Sequence, residues 1–237
     1  MTYCLGIKVK EGLLGLSDTR LTSGSETSTA RKYYQFQNEN CSLFFMTSGL
    51  KSIRDKLVIY FSDYLEKESL KVDKMYKIVN VLGDKLRQVR QEDGESLSAA
   101  GYSFNLNILI GGQMSSDEEH KLFMVYPEGN WIEIQEGLPF TIIGNSGHGK
   151  AILKRTINPD ASLRFCLKTG FLSFDSTRVS ANDVDFPIDV LVYKKNSFQL
   201  IHKRYEEKDL RSVSRQWGDS LKKAINEIAE DWMDEAL

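Results

Sequence analysis

A chain of 237 residues with a formal net charge of −2 is long enough for one layered domain and shows no electrostatic footprint for nucleic acid or an anionic membrane. The hydrophobic fraction is 41% and the charged fraction 27%, as in ordinary globular proteins. Four prolines and no low-complexity stretch leave no long linker, so residues 1–237 are expected to form a single domain.

The opening run from Met1 lacks a basic signal-peptide start and is interrupted by Lys8, Lys10 and Glu11. No apolar run approaches the ~20 residues of a membrane span. A cytoplasmic protein is therefore expected. Cys4, Cys41 and Cys166 are odd in number and widely spaced, which suggests neither a disulfide framework nor a zinc site. Each reads as a small core residue. His120, His148 and His202 lie far apart without carboxylates at ligand spacing, so no metal or other cofactor is expected.

Two short strands open the chain, Thr2 to Val9 and Leu13 to Asp18, and Lys10-Glu11-Gly12 reads as a hairpin turn. The polar stretch Ser23 to Ala30 has no apolar period and predicts a loop. Tyr33 to Gln37 and Ser42 to Thr47 predict a second hairpin around Asn38-Glu39-Asn40. The period then changes. Ile53, Leu57, Tyr60, Phe61, Tyr64 and Leu65 recur at helical spacing, as do Met75, Ile78, Val79, Leu82 and Leu86; two helices of roughly twenty residues are expected. Phe104 to Ile110 predicts a strand that Gly111-Gly112 ends, followed by strands at Lys121 to Tyr126, Asn130 to Glu133 and Phe140 to Ile143. A helical block is expected from about Lys150 to Phe174, a last hairpin from Asp189 to Tyr193 and Phe198 to His202, and a final helix from about Asp209 to Trp232. Hairpin-linked strands with helices in separate blocks favour antiparallel sheets covered by helices. A four-layer α-β-β-α sandwich is one such α+β arrangement.

The candidate chemistry begins at Thr2. A threonine hydroxyl is a poor nucleophile without a nearby base. Removal of Met1 would supply one on the same residue, since a free α-amine titrates at ~7.7 to 8.0. A Met-Thr start alone carries no such meaning; its context does. Thr2-Tyr3-Cys4-Leu5-Gly6-Ile7, Ser17-Asp18-Thr19-Arg20 and Ala30-Arg31-Lys32 resemble the opening of the bacterial proteasome-like Anbu proteins, relatives of proteasome β subunits and of the HslV peptidase. The likeness continues through Met46-Thr47-Ser48-Gly49, Ile143-Gly144-Asn145-Ser146 with Gly149-Lys150, Phe174-Asp175-Ser176-Thr177 and Pro187 to Tyr193. It spans nearly the whole chain, with one loop before Lys32 a residue shorter than in the family.

The resemblance implies the four-layer fold of N-terminal-nucleophile hydrolases and a threonine peptidase with Thr2 as nucleophile. It places Asp18 and Lys32 at the family's acid and lysine positions. The chemistry agrees: an ammonium beside the Thr2 hydroxyl favours the alkoxide, and a carboxylate holds that ammonium charged. Ser146 and Asp175 match residues that position the α-amine and relay protons. Which hydroxyl after Asp175 joins them, Ser176, Thr177 or Ser180, stays open. Ser48-Gly49 ends a strand before a helix, so an amide there, taken here as that of Gly49, is a candidate oxyanion donor. Met46 is expected to help shape the pocket for the substrate side chain. The implied partners are a peptide or unfolded-protein substrate, identical subunits in a ring or ring-like helix, and an unfolding partner of unknown kind. A catalytically silent scaffold that keeps Met1 would carry the same motifs.

Gly144-Asn145-Ser146-Gly147-His148-Gly149-Lys150 also fits seven positions of a phosphate loop. The eighth is Ala151, where a Mg²⁺-binding hydroxyl belongs, and Val190-Leu191-Val192-Tyr193 ends in Lys194 rather than an acid. Nucleotide hydrolysis is disfavoured.

Overall fold

The structure, a computed structural model, describes residues 2–23, 26–68, 72–135 and 137–234. Its two main sheets have five strands each. One contains β1 (Tyr3–Val9), β2 (Gly12–Asp18), β10 (Phe140–Gly144), β11 (Ile188–Lys194) and β12 (Leu200–Tyr205), in the order β10-β1-β2-β11-β12. The other runs β5 (Tyr33–Asn38), β6 (Cys41–Gly49), β7 (Leu106–Met114), β8 (Lys121–Val125) and β9 (Trp131–Glu133), each strand beside its sequence neighbour. Every pairing is antiparallel.

Three apolar clusters define the layers. Cys4, Leu13, Phe44, Met46, Leu109, Leu191 and Tyr193 fill the space between the sheets. Outside the β5–β9 sheet lie α1 (Lys51–Glu68) and α2 (Met75–Ala99), whose Ile53, Leu57, Phe61, Ile78, Leu82 and Leu86 pack on Leu43, Phe45, Ile108 and Ile110. These helical positions recur every three or four residues, which gives each helix a single apolar face. Outside the other sheet lie α3 (Lys150–Thr156) and α4 (Leu163–Arg178); Leu153, Cys166, Phe171 and Phe174 cover Leu5, Leu14, Leu16 and Val190. Each such side chain contributes about 1.5–3 kcal/mol by leaving water. The architecture is the four-layer α-β-β-α sandwich.

Several elements differ from their sequence expectation. The polar stretch from Ser23 to Ala30 is not a loop throughout: β3 (Arg20–Ser23) and β4 (Glu26–Thr29) form a small hairpin. Its described side chains join none of the three apolar clusters, so no two-residue hydrophobic period marks it. Gly111 and Gly112 do not end a strand, because β7 runs through both to Met114. A Cβ at Gly112 would collide with the Ser42 carbonyl and with Leu43, and one at Gly111 would crowd Leu13, Phe44 and Leu122. The glycines permit close approach of strands and sheets. The block from Lys150 splits at residues 157–162, where Ser162 caps α4 by accepting from the Phe165 amide at 3.2 Å. The second helix extends to 25 residues. The last helix, α5 (Glu207–Asn226), stops before a short 3-10 turn at Asp231–Met233.

Candidate active site

The β1–β2 hairpin brings the start of one strand against the end of the other, with Cys4 opposite Ser17. The Tyr3 amide therefore reaches the Asp18 carboxylate and donates to Oδ1 at 2.8 Å. Lys32 arrives from the other sheet, just ahead of β5. Its Nζ donates to both Asp18 oxygens, at 2.8 Å each. Asp18 is 0% and Lys32 2% exposed, so the ion pair is closed off from water. Burial pushes the Asp18 carboxyl above the usual carboxylate range, opposed by the charge and hydrogen bonds of Lys32 and by the Tyr3 and Arg20 amides.

Thr2, immediately ahead of this cluster, is itself buried. Its carbonyl accepts from the Asn145 amide at 2.7 Å. That approach requires glycine at position 144: its φ is +88°, and a Cβ there would overlap the Thr2 carbonyl oxygen. The supposed phosphate loop is thus the segment that holds the Thr2 backbone. The Tyr3 hydroxyl, buried below, donates to Ser173 Oγ on α4 at 2.7 Å. These contacts fix the chain terminus from both sides.

The Thr47 amide donates to the Lys32 carbonyl at 3.0 Å, and the Leu50 amide to the Asn105 carbonyl at 3.2 Å. Amides of an extended strand alternate in direction, so the Gly49 N–H faces the Lys32 side, beyond the start of β5. Gly49 has φ +146°, and any side chain there would run into Asn105. Beside Lys32 opens a cleft of about 470 Å³ lined by Arg31, Tyr34, Phe45, Arg54, Val58 and Ile59. Met46 lies in the core between the sheets; its neighbour Phe45 lines the cleft instead, since successive side chains of β6 face opposite ways.

Two further expected residues lie outside the Asp18–Lys32 hydrogen bonds. Ser146 is half-buried on the β10–α3 loop, two residues past Gly144. The Asp175 carboxylate is engaged by α5 and its own helix: Oδ1 accepts from Ser214 Oγ at 2.7 Å and from Arg178 Nη2 at 2.9 Å. The structure thus brings together Thr2, Asp18, Lys32 and the Gly49 strand end, whereas Asp175 clasps α5. Ser176 and Thr177 hydroxyls bond back to the Leu172 and Ser173 carbonyls within α4, and Ser180 Oγ to the Ser176 carbonyl.

Asp183 is the residue that sequence reasoning passed over. Burial pushes its carboxyl up, but nearby positive charge that includes Lys32 more than offsets this and holds it below the usual carboxylate range. Its loop is fastened to the active-site end of β2 by Thr19 Oγ1 donating to the Pro187 carbonyl at 2.8 Å and by Arg20 to Asp185 at 3.1 Å. No local pattern marks Asp183; only the tertiary path of residues 179–187 does.

The alternative nucleophiles are silenced. Burial pushes the thiols of Cys4, Cys41 (to about 12) and Cys166 (to about 11) up, so each stays a thiol at neutral pH. Among the described residues no group of His, Cys, Asp and Glu could hold a metal ion, and no helix is long and apolar enough to cross a membrane.

Comparison with known proteins agrees with this fold. The family model for the proteasome subunit matches residues 2–184. Among solved structures, an Anbu mutant from Hyphomicrobium sp. strain MC1 is 30% identical over 97% of this chain and 99% of its own, with a TM-score of 0.90. Anbu (ancestral beta-subunit) from Yersinia bercovieri is 28% identical over 96% and 97%, with a TM-score of 0.88. A helical assembly of the Anbu complex from Pseudomonas aeruginosa is 26% identical over 96% and 97%, with a TM-score of 0.90. A comparison with curated proteins gives no match. The chain belongs to the proteasome subunit family and, within it, to the Anbu group.

Proposed function

We propose that the chain is an N-terminal threonine peptidase, a single catalytic domain over residues 1–237 that acts on peptides or unfolded proteins in the cytoplasm. Met1, whose removal the mechanism requires, lies outside the described residues. With Met1 gone, the Thr2 α-amine takes the proton from Oγ as the hydroxyl attacks an amide carbonyl. Lys32 stabilises the developing alkoxide, and Asp18 keeps Lys32 ionised and aimed. The Gly49 N–H receives the oxyanion. The amine returns the proton to the leaving nitrogen, and water releases the acyl-enzyme. Asp183, whose carboxyl feels the charge of Lys32, and Ser146, next to the Asn145 amide that binds the Thr2 carbonyl, are assigned to orient the amine. Asp175, given that role by resemblance, acts instead through the clasp between α4 and α5. The cleft beside Lys32 takes the substrate side chain.

The observation that carries this reading is the Asp18–Lys32 pair, sealed from water directly behind Thr2, with the Tyr3 amide bonded to the same carboxylate. A buried ion pair is weak support for stability as such, which leaves chemistry as the reason to keep one. Copies of the chain assemble with one another, as the helical assembly of its Pseudomonas aeruginosa relative suggests, and a separate unfolding partner feeds the assembly.

A peptide epoxyketone tests the reading, because its two electrophilic carbons are captured in turn by a hydroxyl and a free amine on one residue. The expected product is one adduct per processed subunit on the N-terminal peptide, absent in Thr2→Ala. Processed protein that resists a panel of varied side chains, or that reacts at Cys4, Cys41 or Cys166, overturns the threonine mechanism.

A further inference from the structure

The C-terminal arm of this chain has no seat on its own copy. The first half of α5 rests on α4 through Leu210, Val213, Ser214 and Trp217, which are half-buried. From Asp219 to Trp232 every residue is exposed. Along that arm Leu221, Ile225, Ile228 and Trp232 are 41%, 66%, 63% and 72% exposed. Leu221 and Ile225 lie one turn apart on α5, and Ile228 and Trp232 follow beyond its end at Asn226, so four large apolar side chains stand exposed along one arm. Such a cluster of exposed apolar side chains marks an interaction surface.

The same chain carries a vacancy of matching chemistry. Between α4 and α5 runs a groove of about 540 Å³ with an apolar floor that includes Leu167, Phe171, Leu172 and Val213. Its charged rim is Arg164 and Lys168, and no acidic residue lines it among those described. The arm beyond α5 is charged the opposite way: from Glu227 to Asp234 it holds Glu227, Glu230, Asp231 and Asp234 and no base. The arm is not the filling of its own groove, since its apolar side chains are exposed and α5 is itself one wall.

We infer that the occupant is a second copy: the acidic, apolar arm of one chain, led by Ile228 and Trp232, docks in the basic-rimmed α4–α5 groove of the next. The contact is heterologous, the same two unlike surfaces meeting at each joint. Repetition of such a contact yields a ring if the rotation closes and a helix if it does not. The tryptophan in an apolar pocket supplies affinity, while Lys168 and Arg164 against the acids set polarity and register. The inference rests on the self-assembly stated above and names the surface that carries it.

The test uses the full-length chain. Two single-cysteine variants, Ile228→Cys and Leu172→Cys, are prepared separately, mixed and oxidised; the native cysteines are buried. A disulfide joining one variant to the other is expected, and it can form only between copies. In sedimentation, Trp232→Asp and a truncation after Asn226 should weaken assembly by about tenfold or more, and Lys168→Glu should weaken it further at low salt than at high. Circular dichroism confirms that each variant is folded. If the wild type sediments as a monomer, self-assembly falls and this contact with it. If the wild type assembles, the mixed disulfide fails to form and both arm variants assemble as before, the docking is overturned and self-assembly stands.

Discussion

Removing either member of the Asp18–Lys32 pair should destabilise the fold by about 3–5 kcal/mol, because the survivor is left as a buried, uncompensated charge. At 2.8 Å two unit charges attract by roughly 6 kcal/mol at an effective dielectric constant of ~20. Taking each ion out of water costs several kcal/mol, so the intact pair contributes little net stability. Three variants separate these quantities: Asp18→Asn, Lys32→Met, and the two combined. Urea unfolding at one fixed protein concentration, which holds self-association constant, should show both single variants weakened by about 3–5 kcal/mol. The double variant, which buries no charge, should lie within about 1–2 kcal/mol of the wild type. All three should fail to acylate Thr2, since each lacks the ammonium or its anchor. The double variant would then be a stable, inert protein. Additivity, with the double loss equal to the sum of the single losses within about 0.5 kcal/mol, would refute the claim that the two charges compensate one another.

Gly49→Ala should reduce both stability and epoxyketone labelling, because its Cβ would collide with Asn105 at a φ of +146°; strain there is worth of order 1–3 kcal/mol, and an alanine variant that unfolds and labels like the wild type would place the oxyanion donor elsewhere. Asp183→Asn removes a carboxylate that the proposed mechanism sets near the amine, so the Thr2 α-amine should titrate at lower pH and the acid limb of the pH–rate profile should move down by about half to one unit; an unmoved limb would remove Asp183 from the site. His120 is held below the usual histidine range by burial, with the Val9 carbonyl and Glu119 opposing and Lys8 and Lys195 assisting. A base depressed in the folded state contributes stability that is full above its unfolded pKa of about 6.5 and lost as pH falls through the folded value. His120→Gln should therefore flatten the stability profile between pH 7 and pH 5, measured by urea midpoints, and an unchanged slope would contradict the burial argument.

Much of this was legible in the chain because the physics that makes it is local or periodic. Leu5, Leu14, Ile53, Leu57, Ile78 and Leu82 announce strands and helices through two- and three-to-four-residue spacing, since each element has one buried face. Asp18 and Lys32 were legible through likeness to a family motif, and their contact is real in the structure. What resisted reading was decided by tertiary approach. Gly111-Gly112 looks like punctuation and is a packing device, because sequence does not say which strand will press against the backbone. Asp175 sits in a family-like motif, yet its partners are Arg178 and, from a helix 39 residues on, Ser214. Asp183 has no motif at all, and its place depends on the loop that Thr19 and Arg20 tie down.

Within the described residues no histidine is placed to serve Thr2 as a base. His120 has its Nε2 on the Val9 carbonyl at 2.8 Å, at the far end of β1. His202 Nε2 is tied to Asp189 at 2.9 Å on the β11–β12 ribbon. His148 is exposed and lines the groove that Asp175, Arg178 and Ser214 share. No imidazole is therefore bonded to the Thr2 cluster, and Asp18, which accepts from Lys32 with both oxygens and from the Tyr3 and Arg20 amides, is occupied and closed off from water. Under the proposed mechanism the Thr2 hydroxyl would gain its base from its own residue, so that trimming before Thr2 would create the general base at the same moment as it uncovers the nucleophile.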